Sequence, residues 1–237
     1  MPVTFIGDVH GWSDRLERVL AQVDGDLVFM GDLIDRGPAA PAVLDRVHTL
    51  CDQGRARCVM GNHEYAMVRG LGCDELGIAA EPAYLHAWAE RYGGDAVLDS
   101  YGIGDVDAVA LRHALGRHLR WLAALPWLLR GTADGRAWYA VHAGFDDSAI
   151  DPQIADLERS GEHMRRKAIE QPPPLYAKQR SFLLPRDLPL DACIVSGHTP
   201  QRAALVTASR ILCDTSGGQR GRVLSAVRFP DGLVVTG

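Results

Sequence analysis

Short apolar runs recur in the first quarter of the chain, and each is followed by a glycine and a polar residue. The runs cover residues 3–6, 27–30 and 57–60, while residues 12–23 and 38–51 between them place apolar side chains three or four positions apart. This alternation predicts strand, helix, strand, helix, strand, which is the order that builds a parallel sheet. We therefore expect the three loops after these strands to meet at one edge of the sheet.

The pattern changes after residue 64. Leucine and tryptophan then recur at helical spacing with no strand signal as far as residue 130. This predicts a helical insertion over about residues 71–130. Because no linker divides the chain, we expect residues 1–237 to form a single domain.

The second half of the chain returns to strand patterns. Residues 137–141 and 192–195 predict two further strands, residues 151–170 read as helical, and the run Gln-Pro-Pro-Pro at 171–174 predicts a rigid extended break. Four short runs at the end predict an antiparallel closing sheet, at residues 203–206, 210–213, 223–228 and 233–235.

Composition narrows the class of protein. The chain has 237 residues, of which 47% are hydrophobic, so a large core needs no disulfide or structural metal. Its net charge is −5, whereas a nucleic-acid-binding protein usually carries an excess of basic residues. The five cysteines form no Cys-x-x-Cys pair, which favours free thiols in a reducing compartment. With no signal-peptide pattern and no apolar stretch of ~20 residues, we expect a cytoplasmic protein without a membrane anchor.

Five polar motifs occur in one order along the chain. They are GDVHG from residue 7, GDLIDRG from 31, GNHE from 61, HAG from 142 and GHT from 197. The first four directly follow apolar runs. Together they offer carboxylates, imidazoles and one amide, which are the donor groups that hold a pair of small divalent cations.

Each motif also has an ordinary structural interpretation when taken alone. A Gly-Asp turn is common, Asn62 suits the start of a helix, and a histidine at a strand end is usually structural. The other histidines that lie in helical patterns have no such context: His48, His86, His113, His118 and His163. Five motifs in glycine-flanked loops favour metal ligands over five separate structural roles.

The motifs resemble the signature of the phosphoprotein-phosphatase branch of the calcineurin-like metallophosphoesterases, including lambda phosphatase, bacterial Ser/Thr/Tyr phosphatases and diadenosine tetraphosphate hydrolase. The turn at residues 214–218 also resembles the Asp-Thr-Gly segment of those proteins, so the likeness covers nearly the whole chain. It implies an α/β fold, a four-layer α/β/β/α sandwich with a helical cap insertion.

The resemblance also implies roles for individual residues. The first metal would be held by Asp8, His10 and Asp32, and the second by Asp32, Asn62, His142 and His198. His63, paired with Asp35, would protonate the leaving group, and Arg36 would bind the phosphate. Water activated by two divalent ions would attack phosphorus directly. We expect manganese, with iron, zinc, cobalt, nickel or magnesium as alternatives.

One segment departs from the bacterial pattern. Where those relatives carry Trp-x-Arg-x-x-Phe-Leu, this chain reads YAKQRSFL from residue 176, which puts Gln179 at the arginine position. We take Arg180 as the second phosphate clamp, with Lys178 beside it as the alternative. A solvated basic loop is the structural interpretation.

These observations leave four functions open. The leading hypothesis is a phosphatase that acts on phosphorylated protein or small phosphoesters, and the runner-up hydrolyses dinucleoside polyphosphates. A hydrolase of polynucleotide ends or cyclic phosphodiesters fits the acidic charge less well, and the ligand set disfavours a non-enzymatic metal-binding scaffold. Three tryptophans, at 88, 121 and 127, are expected in the core of the cap rather than against a nucleobase. The oligomeric state is left open.

Overall fold

The computed structural model describes residues 1–166 and 170–237. Its strands are β1 (Val3–Ile6), β2 (Asp26–Phe29), β3 (Ala56–Cys58), β4 (Leu129–Ala133), β5 (Arg136–Ala140), β6 (Cys193–Ser196), β7 (Leu205–Val206), β8 (Arg210–Leu212), β9 (Ser225–Phe229) and β10 (Val234–Thr236). Its helices are α1 (Ser13–Leu20), α2 (Ala40–Asp52), α3 (Asn62–Leu71), α4 (Pro82–Tyr92), α5 (Asp95–Ser100), α6 (Ala108–Leu115), α7 (Arg117–Ala123), α8 (Ile150–Leu157), α9 (Ser160–Arg166) and α10 (Pro173–Tyr176).

The strands form two mixed five-stranded sheets. The first has the order β10-β9-β1-β2-β3, with β1, β2 and β3 parallel and β9 antiparallel to β1. The second has the order β4-β5-β6-β8-β7, with β5, β6 and β8 parallel. The parallel strands are adjacent in both sheets, on the side that ends at β3 in the first and at the centre of the second, so several carboxyl ends open at one edge.

Alternation along the strands decides which sheet face each side chain joins. Phe5 and Val28 belong to the core between the sheets, where the ring of Phe5 lies 5.3 Å from that of Trp138 on β5. Ile6 and Phe29 point the other way and pack with the buried faces of α1 and α2. Burying both faces of β1 and β2 explains why these strands read as continuous apolar runs. The architecture is the predicted α/β sandwich of two sheets covered by helices.

Strand β4 was not predicted, because the residue pattern assigned this region to helix or turn. It pairs antiparallel with β5 through a tight connection at Asp134 and Gly135. Its side chains are mostly half-buried or exposed, as expected for the edge of a sheet.

The predicted closing sheet was wrong in its pairing. Strands β7 and β8 join the second sheet, where β8 runs parallel to β6, whereas β9 and β10 join the first sheet. The predicted extended break is helical over α10, although Pro172 before it is extended. The helical prediction for residues 151–170 holds for α8 and α9, while residues 167–169 lie outside the described part of the chain.

Helices α4 to α7 fall between β3 and β4, in the region where an insertion was expected. The division into a single domain with an insertion at 71–130 stays a prediction. Two other expectations concerned the cysteines and membrane-spanning helices. All five cysteines are free thiols. Among the described residues, no helix has both the length and the apolar character needed to cross a bilayer.

Candidate metal centre and active site

The polar motifs gather where five parallel strands end. Loops after β1, β2 and β3 of the first sheet face loops after β5 and β6 of the second. These loops carry all six predicted metal ligands: Asp8, His10, Asp32, Asn62, His142 and His198. Each lies within a few residues of its strand end, so the two sheets fix the positions of the loops.

The backbone of these loops is strained. The described part of the chain has six non-glycine residues with positive φ, and five of them belong to the motifs: His10, Asp32, Asp35, Arg36 and His198. Such conformations cost about 1–3 kcal/mol each and persist where surrounding contacts fix them, often at functional sites. Here the strain aims the side chains of three loops at a common point.

Glycine and Glu64 hold the β2 and β3 loops together. A Cβ atom on Gly61 would lie 2.3 Å from the backbone nitrogen of Asp32, so only glycine allows this approach. The buried carboxylate of Glu64 accepts backbone N–H bonds from Asp32 at 2.8 Å and Leu33 at 2.7 Å, and from Gly61 at 3.1 Å. These three bonds tie the loop after β2 to the start of α3.

Asp32 lies at the centre of the site. One oxygen of its carboxylate is 3.4 Å from Nε2 of His142, and the other is 3.6 Å from Nε2 of His10. Asp32 belongs to two groups of side chains, and within each group the possible ligand atoms all lie within 4.8 Å of one another. The groups are His10, Asp32 and His63, and Asp32, His142 and His198. Asp32 would therefore contribute an oxygen to each group if both held a cation.

Two imidazole nitrogens, one each from His142 and His198, face the side-chain oxygen of Asn62 with no proton between them. His142 donates from Nδ1 to the carbonyl of Met30 at 2.6 Å, and His198 donates from Nε2 to the carbonyl of Tyr176 at 3.0 Å. Their remaining nitrogens lie 3.0 and 2.9 Å from Oδ1 of Asn62. A neutral imidazole holds one proton, so three lone pairs converge there, and a cation among them satisfies all three.

Asp8 is buried beside the same point but belongs to neither group of the described residues. Its Oδ2 accepts the backbone N–H of His198 at 2.9 Å, and its buried Oδ1 has no hydrogen-bond partner. Oδ2 of the neighbouring Asp214 is equally buried and unpartnered. Two orphaned carboxylate oxygens in a dry site cost stability unless a cation compensates them, so the residues present fit a metal.

Electrostatics support the same conclusion. Burial, with the charges of Asp214 and Asp32, raises the pKa of Asp8 well above its usual range, and burial raises the pKa of Asp214 to about 6. Burial also lowers the pKa of His10 and of His198 to about 4. Burial opposes a charge on His142 too, but the carboxylate of Asp32 outweighs it and raises the pKa. The site thus combines crowded carboxylates with two imidazoles, those of His10 and His198, that burial keeps in the neutral form that binds metals.

Arg36 lies at the exposed rim of the centre. Its guanidinium donates to Nε2 of His10 at 3.0 Å, to Nε2 of His63 at 2.9 Å and to the carbonyl of Gly217 at 2.7 Å. It therefore lies directly beside the predicted ligands, where a phosphate could be gripped by two parallel N–H bonds. To hold a cation through Nε2, His10 would have to lose this bond to Arg36.

His63 is held by a buried chain of hydrogen bonds. Its Nδ1 donates to Asp35 at 2.6 Å, and both oxygens of Asp35 accept from Nε1 of Trp88 on α4, at 3.1 and 2.9 Å. These contacts fix the ring so that Nε2 faces Arg36 and the cavity. The tryptophan predicted for the cap core is fully buried and also anchors the Asp35–His63 pair.

A cavity of about 630 Å³ opens above the centre. Its floor includes Asp32, Asn62, His63 and His198. Its rim adds Arg36, Arg91, Tyr92 and Lys178, with the turn that contains Gly217. Sequence reasoning missed Arg91 and Tyr92, because both lie in an ordinary helical pattern on α4.

The structure does not place Arg180 in this cavity. Its guanidinium donates to Asp146 at 2.6 Å and lines a separate cavity with Trp127 and Gln153. Lys178, two residues earlier, lines the cavity above the centre. The short 3-10 helix over Lys178–Phe182 turns the two cations in different directions, which spacing in the sequence could not reveal. Lys178 is therefore the better-placed second cation.

We expect Lys178→Ala to raise KM for a phosphate ester about threefold to tenfold with little change in kcat, because it removes a charge that binds phosphate in the ground state. Arg180→Ala should lower Tm by breaking its pair with Asp146 and leave KM within about twofold. Steady-state kinetics and thermal unfolding of the two variants check this. A larger rise in KM for Arg180→Ala would restore it as the clamp.

Known proteins with similar sequences or folds include phosphatases and a tetraphosphatase. A symmetrical bis(5'-nucleosyl)-tetraphosphatase of Ralstonia nicotianae is 39% identical over 80 residues, which is 32% of this chain and 28% of that protein. The matched segment thus spans little more than a quarter of that curated relative.

Two solved structures share the fold across nearly the entire chain. A protein serine/threonine phosphatase of Saccharomyces cerevisiae superposes with a TM-score of 0.59 at 15% identity, covering 100% of this chain and 79% of that one. A cold-active protein-tyrosine phosphatase of a Shewanella species gives 0.56 at 21% identity, covering 99% and 80%. The family profile described as calcineurin-like phosphoesterase matches residues 1–220, so this chain belongs to the calcineurin-like phosphoesterases.

Proposed function

We propose that this protein is a metal-dependent hydrolase of phosphate monoesters in which water attacks phosphorus directly. The observation that carries the proposal is the convergence of Asp32 with His10 on one side and with His142 and His198 on the other. Two cations that share one carboxylate suit the hydrolysis of phosphate esters.

The proposed ligands are those expected from the sequence. Asp8, His10 and Asp32 would hold one divalent cation, and Asp32, Asn62, His142 and His198 the other, with manganese as the first choice. Such a pair supplies an acidified water and positive charge for the phosphoryl oxygens. The orphaned Oδ1 of Asp8 and the converging lone pairs at Asn62 support this assignment.

The surrounding side chains then have separate tasks. Arg36 and Lys178 would hold the phosphate from the rim of the cavity. His63 would deliver a proton from Nε2 to the departing oxygen, while Asp35 accepts the Nδ1–H bond and keeps the ring in place. Tyr92 lines one side of the cavity, and its ring lies 5.2 Å from that of His63. It would therefore limit the access of water to the His63–Asp35 pair.

A dinucleoside polyphosphate is the second candidate substrate. The name of the Ralstonia nicotianae relative favours it. The cationic rim formed by Arg36, Arg91 and Lys178 also suits a substrate with several phosphates.

The two candidates separate in one assay. Protein supplied with Mn²⁺ should release inorganic phosphate from β-glycerophosphate and from a phosphoserine peptide if the first proposal is correct. If the second proposal is correct, diadenosine tetraphosphate should instead be cleaved to nucleotides, which chromatography separates from the substrate. A pure, manganese-saturated sample that cleaves none of the three would contradict both.

Metal binding should also show in stability. At a Mn²⁺ concentration about 100 times Kd, binding contributes about 2.7 kcal/mol, which raises Tm by roughly 5–10 °C for a chain of this size. Differential scanning calorimetry with EDTA and with Mn²⁺ measures the shift. The matched control is Asp32→Asn, in which the shift should shrink, and an unchanged Tm for the unaltered protein at saturating Mn²⁺ would count against the metal centre.

A further inference from the structure

A second cavity adjoins the proposed active site. It encloses about 710 Å³ and shares Arg36 and Gly218 with the cavity above the metal ligands. A substrate whose phosphate lies at Arg36 can therefore extend into it. Cavities of this size hold small organic ligands.

The indole of Trp12 forms an anchored aromatic wall of this second cavity. Its Nε1 donates to the carbonyl of Gly218 at 3.0 Å, and the guanidinium of Arg15 lies 4.0 Å from the ring centroid. Arg15 in turn donates to the carbonyl of Gln219 at 3.0 Å. Trp12 lines the cavity and is only partly buried, so a fixed aromatic surface is available to a ligand.

The remaining lining adds chemistry suited to a nucleobase and its phosphates. Pro38 and Ala96 supply small apolar contacts, and Asp99 and Ser100 supply oxygen atoms that can accept hydrogen bonds from ring amino groups. Arg220, which is exposed, joins Arg36 as a second positive charge. An aromatic wall with acceptors and two arginines matches a nucleoside bearing phosphates better than a peptide side chain.

We propose that this second cavity binds the nucleoside portion of a phosphorylated substrate by stacking on Trp12, and so favours nucleotides over phosphate esters without an aromatic group. The inference rests on the proposed phosphoester hydrolysis for its effect on catalysis, but nucleotide binding can be measured without turnover. The proposed aromatic surface is Trp12 and none of the three tryptophans considered from the sequence. Trp88 and Trp127 are buried, and Trp121 stacks on His48 instead.

The test compares Trp12→Leu, Trp12→Phe and the control Trp121→Leu in protein supplied with Mn²⁺. The measured quantity is the ratio of kcat/KM for diadenosine tetraphosphate or ATP to that for β-glycerophosphate. Stacking on one base is strong enough that Trp12→Leu should lower this ratio about tenfold. Trp12→Phe should keep most of it, and Trp121→Leu should leave it unchanged.

A parallel measurement separates the two proposals. Calorimetric titration with AMP should show weaker binding, by a similar factor, to Trp12→Leu than to the unaltered protein or to Trp121→Leu. Weaker AMP binding in a protein that hydrolyses no ester would support the nucleoside site and sink the proposed function. Equal AMP affinity in all variants, or an equal loss of activity on both substrate classes, would overturn the nucleoside site.

Discussion

Asp32→Asn should lower kcat for phosphate ester hydrolysis by at least ~10²-fold. The carboxylate lies between both groups of ligand atoms, 3.6 Å from His10 and 3.4 Å from His142. An amide has one oxygen and no charge, so it cannot bridge two cations equally well. Turnover of p-nitrophenyl phosphate with Mn²⁺ measures the effect.

The control for this change is Asp14→Asn, which neutralises an exposed carboxylate on α1 that forms an ion pair with the neighbouring Arg18. It should retain the activity of the unaltered protein. Metal content by plasma emission spectrometry adds a second readout. Full activity with two bound metals in Asp32→Asn would refute the bridging role.

His63→Asn should lower kcat by about 10²–10⁴-fold while the protein still binds metal, because it removes the proposed proton donor. The loss should depend on the leaving group. p-Nitrophenolate departs without help, whereas an alkoxide needs a proton, so β-glycerophosphate should suffer more than p-nitrophenyl phosphate. Kinetics on both substrates test this dependence.

His86→Asn serves as the matched control, since His86 is an exposed histidine of α4 that lines neither cavity described above. Asp35→Asn provides a further check on the pair, because it removes the acceptor that fixes Nδ1 of His63. It should reproduce the leaving-group dependence to a lesser degree. An equal loss on both substrates in His63→Asn would argue against proton donation.

The sequence predicted the centre of the fold well because the central strands carry local signals. Strands β1, β2, β3, β5 and β6 are short, and each is followed by a glycine-containing motif. Strands β1, β2 and β6 are also almost entirely buried, so their apolar runs indicate both the strand and its place in the sheet. Helix α1 begins at Ser13, within the helical pattern predicted for residues 12–23. The six proposed ligands converge for the same reason, since parallel strands deliver their loops to one edge.

Failures arose where structure depends on distant partners. The runs that form β7 to β10 were recognised as strands, but alternation says nothing about which sheet a strand joins. The edge strand β4 contains a glycine and few buried side chains, so its pattern is too weak to detect. Pairing of these strands is decided by contacts across more than ten residues.

Side-chain direction was the other limit. Arg180 and Lys178 are two residues apart in one 3-10 helix, and only the fold shows that Lys178 faces the active-site cavity while Arg180 meets Asp146. Trp12 was overlooked because one aromatic residue after a glycine has many structural explanations. The fold brings Gly218, more than two hundred residues later, into hydrogen-bond contact with Trp12, and the sequence gives no sign of this contact.

The turn between β8 and β9 has a consequence for biosynthesis. Ser216 donates to the carbonyl of Asp8, Arg36 donates to that of Gly217, and β9 then supplies the antiparallel neighbour of β1. The first motif emerges from the ribosome early, yet its contacts are complete only when this late turn has been translated. A nascent chain halted before residue 214 would therefore carry all six proposed metal ligands and still lack the turn that contacts the loops of Asp8 and Arg36.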